Sequence, residues 1–172
     1  MRTSLIGFLA TIALVIVPCA ANAQGPSVRT TKSEAAFKQL TSLVGVWEGA
    51  EDGVPFQVSY TLSGAGSALM EEVRPGDPHA MITMFTVDGD HLIATHYCAV
   101  GNQPQMVSGV PDDFHKGVTF SLARVMGMKT PGAWHNTGLT FTLDDNDHLT
   151  QKWTYLYKGK AGSTVFHYTR KK

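Results

Sequence analysis

The stretch that decides the fold is Met81-Ile82-Thr83-Met84-Phe85-Thr86-Val87-Asp88-Gly89-Asp90-His91-Leu92-Ile93-Ala94-Thr95-His96-Tyr97-Cys98. Two runs rich in β-branched and aromatic residues flank Asp88-Gly89, a strong two-residue hairpin signal because both central positions of a type I′ turn need positive φ. With Asp88 and Gly89 at those positions, Val87 pairs with Asp90, Phe85 with Leu92, Thr83 with Ala94 and Met81 with His96. Side chains alternate along a strand, so these residues share one face with Cys98, apolar except for Thr83 and His96. The other face carries His91, Thr95 and Tyr97 and is the wetter one. His96 is therefore expected to point inward.

The same pattern extends in both directions. Segments 45–51, 54–62, 67–74, 79–87, 90–99, 104–110, 116–124, 134–144, 148–158 and 162–170 are rich in Thr, Val, Phe, Tyr and Trp, and Gly, Asp, Asn or Pro punctuates most gaps. About ten short strands joined by short loops predict an all-β antiparallel meander, which hides its edges most simply by closing into a barrel. The one helical pattern precedes them: Ser33 is placed to cap a helix through Leu43 whose buried face carries Phe37, Leu40 and Leu43 or Val44. The expected barrel covers about residues 43–171, within one domain of residues 24–172.

At the N-terminus, Arg2, an apolar run from Leu5 to Val17, and Ala21-Asn22-Ala23 form the three parts of a secretory signal peptide. The run is shorter than the roughly 20 residues that span a bilayer. Cleavage is expected between Ala23 and Gln24, giving a periplasmic or secreted protein with no membrane insertion afterwards. A lipoprotein cut before Cys19 is disfavoured by Pro18. The mature chain then keeps a single thiol, Cys98, so its stability has to come from a core rather than a disulfide. The chain has 14 basic and 14 acidic side chains, which gives no electrostatic footprint for nucleic acid or for an anionic membrane surface.

Gly45-Val46-Trp47 opens the first strand after a short helix, and Arg170 lies on the last strand. This arrangement resembles the lipocalin and wider calycin pattern, which implies that Arg170 lies across Trp47 and closes the barrel base; guanidinium stacking on indole is physically sound. Leu43 to Gly49 also resembles the start of nitrobindin-type barrels, which have ten strands and bind haem. Val87-Asp88-Gly89-Asp90, Thr95-His96-Tyr97-Cys98-Ala99 and Gly101-Asn102-Gln103-Pro104 together resemble a family of exported bacterial proteins thought to share that barrel. The nitrobindin resemblance implies a haem ligand on a late strand, and His167 is the nearest match. If Arg170 packs outside or at the rim, alternation turns His167 toward the cavity.

The expected role is non-catalytic binding of a small hydrophobic or amphipathic molecule in the barrel, without a cofactor, as barrels of this size allow. His96, Met81 and Phe85 are the expected wall residues, with Cys98 on the same face and Asn102 and Gln103 as amides at the rim. The alternatives are a haem protein acting on nitrogen oxides through His167, a small enzyme pairing His96 with a carboxylate, and a filled barrel that serves as an interaction module. For the enzyme, Glu71-Glu72 sends one carboxylate to each strand face, so at most one enters the cavity, and a buried Glu72 near His96 could act as acid or base. No histidine spacing fits a metal site, and no nucleophile elbow, P-loop or dinucleotide fingerprint occurs. Val125 to Trp134, apolar and carrying Met126 and Met128, is expected to cover a barrel mouth.

Overall fold

The structure is a computed structural model that describes residues 30–172; the expected signal peptide, its cleavage point and Cys19 lie outside the described residues. Helix α1 spans Lys32–Thr41. Ten strands follow: β1 Gly45–Glu51, β2 Val54–Ser63, β3 Ala68–Val73, β4 Met81–Asp88, β5 His91–Tyr97, β6 Gln103–Ser108, β7 Val118–Met126, β8 His135–Leu143, β9 His148–Tyr157 and β10 Lys160–Arg170. Each pairs antiparallel with its sequence neighbour, and β1 pairs with β10, so the meander closes into a barrel without free edges.

Two local expectations change. The helix cap is Thr31 rather than Ser33: the Thr31 hydroxyl accepts from the Glu34 amide at 3.1 Å and the Glu34 carboxylate accepts from the Thr31 amide at 2.7 Å. Ser33 is instead buried and donates to the Gly89 carbonyl at 2.6 Å, tying the helix to the β4–β5 turn. That turn places Gly89 and Asp90, not Asp88 and Gly89, between the paired residues Asp88 and His91. Gly89 takes φ 55° and Asp90 stays at negative φ, so only the first central position needs glycine. Phe85 consequently faces Ala94, and Thr83 faces His96. The shift is two positions, so every side chain keeps the expected face.

The end of the barrel beside α1 is the closed one. Trp47 and Arg170 are direct cross-strand partners, and the Arg170 guanidinium lies 4.3 Å from the indole centroid. Trp47 is fully buried and donates its indole N–H to the Leu43 carbonyl at 2.8 Å. Arg170 donates to the carbonyls of Ser42, Val44 and Asn146 at 2.8, 3.2 and 3.1 Å. Gly45 sits at φ 132°, a conformation that other residues rarely adopt, which is why the first strand opens on glycine. Arg170→Lys places one point charge where a planar fork reaches three carbonyls and an indole face. It is expected to lower stability by about 1–2 kcal/mol in urea denaturation; an unchanged midpoint would show that the carbonyls are equally well served without the fork.

Above this closure the interior is solid. Phe85 contacts Phe120 and Phe141 edge-on at centroid distances of 5.9 and 6.0 Å, and Phe114 closes on Phe141 at 5.6 Å. Leu69, Met106 and Leu139 fill the remaining space. Phe85 thus belongs to the packed core and not to a cavity wall.

Candidate functional site

The opposite end of the barrel is open. A cavity of about 150 Å³ lies there, walled by Phe56, Val73, Met81, Trp153 and Phe166, with Trp134 and Tyr155 at the mouth. The mouth also holds the Glu51–Arg74 ion pair, with Arg74 4.8 Å above the Phe56 ring. The Trp134 and Tyr155 rings lie tilted against each other, 5.5 Å between centroids. Trp134 ends the loop expected to cover a mouth, and the loop does lie at this end. Met81 is a wall residue as expected.

The cavity floor is polar. Strand β5 brings His96 inward beside Thr83 of β4, and His96 is only 3% exposed. Its Nδ1 lies 3.0 Å from the Thr83 hydroxyl, which donates to Glu71 Oε1 at 3.1 Å. The other carboxylate oxygen of Glu71 accepts from Tyr60 at 2.6 Å and from the Gln151 amide. Gln151 Nε2 also donates to the Tyr60 hydroxyl at 3.0 Å, and Gln151 Oε1 accepts from the Trp153 indole at 2.8 Å. The His96 and Trp153 rings lie 5.0 Å apart. Strands β2, β3, β4, β5 and β9 thus each contribute to one buried chain of hydrogen bonds. A buried carboxylate without partners would cost several kcal/mol; here three donors converge on it.

Burial governs the protonation of these groups. It pushes the His96 imidazole down to about 4, because an imidazolium would be desolvated there. It pushes the Glu71 carboxyl above the ordinary carboxylate range, against the pull of Tyr60, Gln151 and Thr83. Tyr60 is driven well above the ordinary phenol value by burial first and by the adjacent Glu71 charge second.

The carboxylate near His96 is therefore Glu71, which is fully buried, and not Glu72, which is half-buried on the other face of β3. His167 does not face the cavity. Arg170 is anchored over the inward Trp47, so alternation turns Tyr168 and Phe166 inward and His167 outward. His167 is exposed and shares a 2.9 Å hydrogen bond with Thr150. The haem alternative loses its ligand at that position.

Cys98 is buried beside the tight 98–102 loop, outside the cavity lining, and burial raises its thiol pKa. Asn102 also stays out of the lining. It clips two mouth loops together, its amide donating to the Trp134 carbonyl at 2.6 Å. Gln103 turns back to the Gly101 carbonyl at 3.2 Å. Tyr60, Gln151 and Trp153 were not singled out by the sequence; the alternation Leu149, Gln151, Trp153 was the available signal, a polar residue between two inward apolar ones. Among the described residues no group of three His, Cys, Asp or Glu side chains is placed to hold a metal ion.

The fold and site together define a ten-stranded meander barrel, closed and packed at one end, with a small cavity at the other. Comparison of the chain with protein-family models and with curated protein sequences gave no match.

Proposed function

We propose that this protein is an exported lipocalin-like barrel that holds a small hydrophobic or amphipathic molecule in its open-end cavity, without catalysis. The observation that carries this reading is the cavity itself: a space of about 150 Å³ with aromatic walls and a polar floor. Ligand sites commonly combine apolar walls with a few polar groups that fix orientation. A dry cavity of about this size accommodates a benzene ring, so the packed base limits the occupant to roughly one ring. An imidazole held at about 4 is a weak base at neutral pH, which favours binding over proton abstraction. The export part of the proposal rests on the signal-peptide pattern of residues 1–23.

Heating the protein with increasing benzene or phenol tests the binding. A ligand specific for the folded state raises Tm with concentration. Intermolecular NOEs should reach the Met81 methyl and the Trp153 indole, and Met81→Trp, which fills the cavity, should abolish both signals. A Tm that ignores both compounds, or NOEs confined to the outer surface, would defeat the reading.

A further inference from the structure

The polar floor has a direction, and that direction specifies a ligand class. The Trp153 indole can only donate, so its bond to Gln151 Oε1 fixes the Gln151 amide with Nε2 toward Glu71 and Tyr60. The Tyr60 hydroxyl receives from that amide and gives its own proton to Glu71. The other Glu71 oxygen receives the only proton of Thr83. While Glu71 is ionised that proton is committed to it, so the Thr83 oxygen accepts from His96 and Nδ1 carries the imidazole proton. His96 Nε2 is then left as a bare acceptor. It has no partner among the described residues, yet it is not a sealed orphan, since His96 borders the cavity.

A second unpartnered group borders the same space. Asn136 is only 4% exposed, lines the cavity, and its side-chain amide makes no hydrogen bond among the described residues. An acceptor and an amide that can donate match a hydroxyl, which gives one proton and accepts another. An ammonium ion brings three donors to a floor with few acceptors, and burying unmet donors is costly. An anion would sit close to the Glu71 carboxylate, while Arg74 is already paired with Glu51.

We infer that the chain Gln151–Tyr60–Glu71–Thr83–His96 locks the His96 tautomer so that the cavity selects a neutral, ring-sized aromatic alcohol, the phenol class, by accepting a hydrogen bond from its hydroxyl at Nε2. This inference rests on the binding reading above and adds the chemistry of the ligand. Benzene fills the same space without the hydroxyl, and anisole carries the oxygen without the proton.

The test uses the full chain, long-range ¹H–¹⁵N NMR of His96, and calorimetric titration with phenol, anisole and benzene. The expected results are an Nδ1–H tautomer and phenol binding about tenfold tighter than either comparator, the scale of one well-made buried hydrogen bond. His96→Leu should bring phenol to within about twofold of benzene while benzene still binds. Thr83→Val, which removes the acceptor for Nδ1–H, should release the tautomer and weaken phenol selectively even if the leucine variant does not fold. An Nε2–H tautomer in the wild type, or equal affinity for phenol and anisole, overturns the inference and leaves benzene binding intact. Binding of none of the three overturns the cavity reading and the inference together.

Discussion

Trp47→Ala is expected to lower the stability of the barrel by about 3–5 kcal/mol, the range for removing a large aromatic side chain from a packed interior. The indole is fully buried, meets Tyr60 edge-on at a centroid distance of 6.3 Å, and carries the Arg170 guanidinium over its ring. Its loss also removes the N–H that satisfies the Leu43 carbonyl, at the point where the helix gives way to the first strand. Arg170 would keep its three carbonyl partners but lose the surface on which it rests. Urea denaturation followed by circular dichroism measures the change. A loss below about 1 kcal/mol would mean that the base relaxes around the void and that the Trp47–Arg170 pair is not what closes it.

The second large effect depends on pH. In the unfolded chain His96 takes up a proton near its ordinary value of 6.5, whereas in the folded protein it does so only near 4. Between those values the unfolded state binds more protons, so stability falls as pH falls. The interval corresponds to about 3 kcal/mol, gone by about pH 4 and fully present above about pH 6.5. Glu71 acts with the opposite sign. Its folded pKa is raised, so the folded state holds that proton to higher pH and stability declines as pH rises from the ordinary carboxylate range through the raised value. Comparing wild type with His96→Gln isolates the histidine, because Glu71 is common to both. The stability gap between the two should move in favour of the variant by about 3 kcal/mol on going from pH 7 to pH 4. Parallel pH curves would show that the imidazole is hydrated in the folded state.

The strands were legible because each combines two-residue alternation with turn residues at its ends, and the error in the β4–β5 turn was harmless because it moved pairing by an even number. Face assignments failed where alternation had no anchor. On β3, Leu69 and Met70 are both apolar, so neither parity marks which of Glu71 and Glu72 turns inward. On β10, the parity of His167 depended on where Arg170 packs, which only the contact with Trp47 settles. The buried network was harder still: Tyr60 and Gln151 meet across a separation of 91 positions, and their meeting follows from barrel stagger that no local pattern encodes.

The closure between β1 and β10 also sets the order in which the molecule can be made. The Arg170–Ser42 hydrogen bond spans 128 positions, so the first strand waits for β10 before its outer edge is covered. Until then β1 and β10 each present an unpaired edge to any other extended chain nearby. Large loop-closure entropy is spent before those contacts form, which places folding in the slow range of β-rich topologies, about milliseconds to seconds. A chain lacking its final three residues would lose Arg170 and keep most of its strands. With Glu48 still facing Thr169, the seam is weakened rather than lost, and the molecules that do open refold when dilute and associate edge to edge when crowded.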